Sequence, residues 1–121
     1  VVYEIYKMAT VEVKPIFPGC ENLSNDEQYR CFQNGLIKHI RNNFQYPETP
    51  KKSGVSEKIF VQFVIDEYGQ IINPKIVRGV DKNLRADALR LVNSIPNLQP
   101  AEQKGQPVPC SFTIPINYKL Q

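Results

Sequence analysis

The chain has one histidine, three cysteines and no tryptophan among its 121 residues. Cys20, Cys31 and Cys110 with the lone His39 cannot form the closely spaced four-ligand set of a structural zinc site, so no metal is expected. No stretch approaches the ~18 apolar residues of a membrane helix. Charge of one sign is lacking too: fifteen basic residues interleave with twelve acidic ones, and the densest basic spot is only Lys51–Lys52. A nucleic-acid binder shows a stripe of Lys and Arg with aromatic partners, so that partner is excluded. Gly79 and Gly105 stand alone and build no phosphate-cradling loop. The sequence opens at Val1 with neither initiator Met nor signal peptide, as expected of a processed protein or a fragment; if the parent is membrane-anchored, its anchor lies outside these residues.

What is present fits one globular domain. Hydrophobic residues make up 41% and charged residues 22%, and a chain of this length buries about two-thirds of its unfolded surface. Cys20 and Cys31 flank a turn and the start of a helix, which suits a local disulfide in an oxidising compartment; the alternative is two free thiols in a reducing one. Catalytic candidates are weak. His39 follows Lys38 in a helix and reads as a boundary residue. Asp66 and Glu67 are adjacent at a turn and point apart, which rules against a shared proton. Cys110 falls on an apolar face, where a thiol is an inert small hydrophobe. No enzymatic role and no cofactor are expected.

Residues 1–22 read as an irregular arm, broken by Pro15, Pro18 and Gly19, and residues 23–121 as the domain proper. Ser24-Asn25-Asp26-Glu27 is a capping box opening a helix to about Asn43, with Tyr29, Phe32, Leu36, Ile37 and Ile40 on its apolar side. Tyr46-Pro47 and Pro50 form an extended connector. Ile59 to Asp66 alternates as a strand, Glu67-Tyr68-Gly69-Gln70 turns, and Ile71 to Arg78 returns as a hairpin. Asp81 caps a second helix from about Lys82 to Ser94, its stripe Leu84, Ala88, Leu91, Val92 and Ile95. Val108 to Leu120 closes the chain as one long strand with apolar even positions.

Prolines set the strand order. A proline offers no N–H, so it must face a side where no acceptor waits. Pro74 places the second strand at an edge, and Pro109 and Pro115, of one parity, place the last strand at the other. The expected fold is α+β, in the order α-β-β-α-β: a three-stranded antiparallel sheet, second–first–third, with both helices on one face. Backbone groups of Ser111, Thr113 and Asn117 then face the open edge, where an added strand would centre on Ser111 to Thr113 unless the arm or a second copy in a homodimer covers it.

The ordered set Tyr46-Pro47, Gly54, Val61-x-Phe63-x-Ile65-Asp66-x-x-Gly69-x-Ile71, Asp87-Ala88, Ile95-Pro96-x-x-x-Pro100-Ala101, Gly105-x-Pro107-Val108 and Ile114-Pro115-Ile116-x-Tyr118-x-Leu120 resembles the TonB C-terminal domains. It spans about residues 46–121. The chain departs from many members at Leu98, where they carry Trp, and its three cysteines are not general features of the family. The resemblance implies the periplasmic domain of an energy transducer, anchored in the inner membrane beside an ExbB–ExbD proton-driven motor. Such a domain binds the TonB box of outer-membrane transporters by strand addition and passes on the energy for uptake. It implies peptide-binding roles for Tyr46 and Pro47 beside Ser111, Thr113 and Asn117. Two other readings stay open: a sensory or structural appendage of a membrane-bound peptidase or receptor, and a small secreted enzyme.

Overall fold

A computed structural model describes residues 4–48, 54 and 56–119; Pro50 and Leu120 lie outside them. The elements are β1 (Tyr6–Lys7), α1 (Asn25–Asn43), β2 (Glu57–Ile65), β3 (Ile71–Arg78), α2 (Lys82–Asn93), β4 (Ala101–Gln103), β5 (Gln106–Val108) and β6 (Cys110–Tyr118). Ser24 caps α1, its Oγ accepting from the Glu27 amide at 3.4 Å. Asp81 caps α2, one carboxylate oxygen accepting from the Asn83 and Leu84 amides at 2.9 Å each. Both caps satisfy amides that a helix start leaves free.

The sheet is four-stranded and mixed, in the order β1-β6-β2-β3, which corrects the expected three-stranded antiparallel sheet. The inner order β3-β2-β6 is the one the prolines indicate, and both of those pairs are antiparallel. The extra strand comes from the arm, where Tyr6 and Lys7 lie parallel to Cys110 and Ser111. The reason is that a proline loses its donor and keeps its acceptor. Tyr6 N–H donates to the Pro109 carbonyl at 3.0 Å and Met8 N–H to the Ser111 carbonyl at 3.3 Å. Two residues are too few for any alternation to show. The predicted single last strand is also corrected. It is broken at Pro109: Val108, where it was expected to start, belongs to β5, which pairs with β4 in a separate hairpin turning at Lys104 and Gly105, both at positive φ.

The core lies between the helices and one face of the sheet. Ile59, Val61, Phe63 and Ile65 of β2 meet Phe32 and Leu36 of α1, Leu84, Ala88, Leu91 and Val92 of α2, and Cys110, Ile114, Ile116 and Tyr118 of β6. Burying each of the Val, Leu, Ile and Phe side chains stabilises by about 1.5–3 kcal/mol. The arm contributes Met8 and Val11 to this core. Its Phe17 ring packs so closely on α1 that a Cβ at position 35 would sit 2.5 Å from Phe17 Cδ1, which explains Gly35 inside a helix. Gly69, at φ +83°, turns the β2–β3 hairpin with its backbone against Leu98, whose N–H donates to the Gly69 carbonyl at 2.9 Å. Cys20 and Cys31 are bonded, tying the end of the arm to α1, and Cys110 is a buried free thiol.

Candidate functional site

β6 and β2 pair one residue to one from Glu57↔Tyr118 to Ile65↔Cys110, with no bulge. An unbroken register preserves parity along the whole strand. Since Pro109 and Ser111 aim their carbonyls at the arm, Thr113, Pro115 and Asn117 aim their backbone groups the same way, away from β2. Among the described residues, no strand pairs with that side of β6 beyond Ser111. Thr113, Pro115, Asn117 and Lys119 are all exposed. The arm therefore displaces the expected centre. Ser111 is half-buried with its outward carbonyl already taken, and the open edge begins at Thr113.

A groove of about 690 Å³ runs between this edge and α1. Leu36, Ile37, Ile40 and Phe44 form its helical wall, and Phe112, Ile114 and Ile116 its sheet wall. The charged groups at its rim, Arg41 and Lys119, are both cationic. Ile37, one of the positions expected on the apolar side of α1, is 52% exposed and lines the groove. Spacing alone could not separate the two roles, because the same helical stripe is wide enough to face both sheet and groove.

Tyr46 and Pro47 are half-buried, and Tyr46 lies at the C-terminal end of β6. Tyr46 packs edge-on against Tyr118, ring centroids 5.9 Å apart, and Phe44 lies 5.0 Å from the same ring. Tyr46 thus reaches the groove through Phe44. Tyr118 in turn donates its hydroxyl to buried Asp87 at 2.7 Å, and Arg90 holds the other Asp87 oxygen through Nε and Nη2 at 2.9 and 2.8 Å. Burial first, and then the bond to Asp87, push the Tyr118 hydroxyl's pKa far up, so it stays a donor. Arg90 also donates to the Asn43 carbonyl at 2.9 Å, fastening the end of α1 to α2. The sequence pointed to Tyr118 only as one more apolar position; the Asp87 of Asp87-Ala88 was the available signal for its partner.

The catalytic candidates take structural roles. Asp66 Oδ1 accepts from the Tyr68 and Gln70 amides at 2.9 and 2.8 Å, closing the hairpin turn. His39 bridges the helices, its Nε2 2.9 Å from Ser94 Oγ, and partial burial lowers its pKa. Burial raises the Cys110 thiol to about 11, so it is not a thiolate at neutral pH.

The model of the family described as Gram-negative bacterial TonB protein C-terminal matches residues 42–120. The fold is similar to the solution structure of the Helicobacter pylori TonB C-terminal domain, with a TM-score of 0.58 at 21% identity, over 84% of this chain and 87% of that one. No curated protein gives a significant match. The family match covers more than half of the sequence, and the chain belongs to the TonB C-terminal family.

Proposed function

We propose that this domain captures an extended peptide, the TonB box of an outer-membrane transporter, as an added strand on the outer edge of β6. One observation carries the reading: the outer edge of β6 from Thr113 to Tyr118, which pairs with no strand among the described residues, borders an apolar groove against α1. Strand addition draws affinity from main-chain bonds and selectivity from pockets that take alternate side chains. Thr113 and Asn117 supply outward N–H and C=O groups, Pro115 supplies a carbonyl only, and the groove receives side chains from the incoming strand. Tyr46 supports the site by backing Tyr118 and Phe44, Pro47 follows it in the chain, and Ser111 marks the inner end. The domain works in the periplasm, in agreement with the Cys20–Cys31 bond, since disulfides persist in oxidising compartments. An inner-membrane anchor and the ExbB–ExbD motor act on it through its N-terminal side, and the bound strand transmits the pull that drives uptake.

The test is a titration of the labelled domain with a transporter's N-terminal box peptide, followed by amide shifts. The reading expects changes concentrated at Thr113 to Lys119 and along the α1 wall. Changes centred on the β3 edge, or none at peptide saturation of a known transducer, would overturn it.

A further inference from the structure

The arm is fastened to the domain in an unusual order. Its first 16 described residues are held by scattered contacts, and its end is held covalently. Tyr6 gives its amide to Pro109, just before β6, and Met8 gives its amide to Ser111 of β6. Val13 exchanges both backbone bonds with Glu102 at 3.0 and 2.9 Å, and Ile16 does so with Gln99 at 3.1 and 3.0 Å. Lys14 Nζ donates to the Met8 carbonyl at 2.8 Å and lies 5.3 Å from the centre of the Tyr29 ring. Met8, Val11 and Pro15 are buried. Then comes Cys20, bonded to Cys31. Residues 21 to 30 contain no buried side chain, and Phe32, adjacent to Cys31, is fully buried at the centre of the core. The disulfide therefore joins the end of the arm to the chain right beside its first deep anchor in α1.

We propose that residues 4–20 are a strap that tension from the N-terminal side peels off the sheet, and that the Cys20–Cys31 bond is its stop. The inference rests on the reading that load arrives through the N-terminal side. β1 lies parallel to the start of β6, so its N-terminal end and the C-terminal end of β6 point in opposite directions. A pull between them shears two residues of pairing and then takes the Val13 and Ile16 bridges in turn. At Cys20 the load crosses to Cys31 and enters the core at Phe32, bypassing the exposed first turns of α1. Peeling also frees the outward carbonyls of Pro109 and Ser111, so the edge open to a bound strand grows under load. Without the disulfide nothing buried halts the peel before Phe32.

The experiment is single-molecule pulling of the full chain between tags at its two termini, oxidised, and again as the Cys20→Ser/Cys31→Ser double variant. The oxidised chain should give a first low-force step releasing roughly 55 Å of contour, the extended length of the strap, with the rest of the domain rupturing later. The variant's first step should be longer by roughly 40 Å, the stretch from Cys20 to Phe32. A single rupture of the whole oxidised domain, or equal first steps in the two proteins, would overturn the proposal. Should the variant fail to fold, the step length of the oxidised chain decides alone. Failure of a box peptide to bind the relaxed chain would sink the peptide-capture reading while leaving the step to judge the strap.

Discussion

The amide of Met8 donates to the carbonyl of Ser111 at 3.3 Å, so the arm ends its pairing with β6 where the open edge starts. One edge is shared end to end between a strand the chain supplies and a stretch that no strand among the described residues covers. The groove against α1 follows the bare stretch: its sheet wall starts at Phe112 and it ends at Lys119.

Ile37 is the residue whose exposure that arrangement accounts for. At 52% exposed it contributes little to the fold, and Ile37→Asp should change stability by less than about 0.5 kcal/mol. Peptide affinity should fall about five-fold, since an isoleucine half covered by ligand is worth on the order of 1 kcal/mol. Paired melts and titrations check this, and a large stability loss with unchanged affinity would place Ile37 in the core after all.

The Cys20–Cys31 bond closes a short loop, and its removal should cost about 2–3 kcal/mol, or roughly 10 °C in Tm. Cys110 should resist alkylation at pH 8 until the domain unfolds, because burial holds the thiol at about 11. With its folded pKa raised, the neutral thiol favours the fold below the unfolded value. That advantage is lost as pH rises from about 8.5 towards 11. Rapid native labelling at Cys110 would contradict both points.

Tyr118→Phe removes the donor that Asp87 Oδ2 accepts from at 2.7 Å in a buried setting. Leaving a buried acceptor unpaired costs about 1–3 kcal/mol, which urea melts will read as a lower midpoint at unchanged slope. A loss under 0.5 kcal/mol would mean that Arg90 alone satisfies the carboxylate.

His39 reaches from α1 to Ser94 at the end of α2, with its pKa lowered from 6.5 by burial. A depressed histidine binds its proton more readily in the unfolded chain, so stability falls as pH drops below about 6.5. His39→Gln should flatten that part of the pH–stability curve. An identical slope in both proteins would remove His39 as its cause.

The helices, the central hairpin and the inner strand order were legible because each rests on several residues agreeing. Ser24 with Glu27, Asp81 with Leu84, and the alternation Ile59, Val61, Phe63, Ile65 are local signals repeated often enough to fix an element. β1 was not legible, since two residues carry no period and the partner of Tyr6 is a proline carbonyl a hundred positions away. The β4–β5 hairpin was hidden because Val108 and Pro109 read as the start of one long last strand, while its turn at Lys104 puts a non-glycine residue at positive φ. The parity of the open edge was readable from Pro109 and Pro115. Its inner limit at Ser111 depended on the arm and was not.

Thr113 and Ile114 give the most direct test of the central claim that β6 binds through its outward backbone. Thr113 N–H faces the open edge, and Ile114 lies opposite Val61 with its backbone groups turned to β2. Thr113→Pro should keep the parent's melting curve within a few degrees and lower affinity for a box peptide about ten-fold, the loss of one ladder bond of about 0.5–1.5 kcal/mol in a strained setting. Ile114→Pro should unfold the domain by breaking the central ladder. If Thr113→Pro unfolds the chain, or binds the peptide as tightly as the parent does, strand addition at this edge is contradicted.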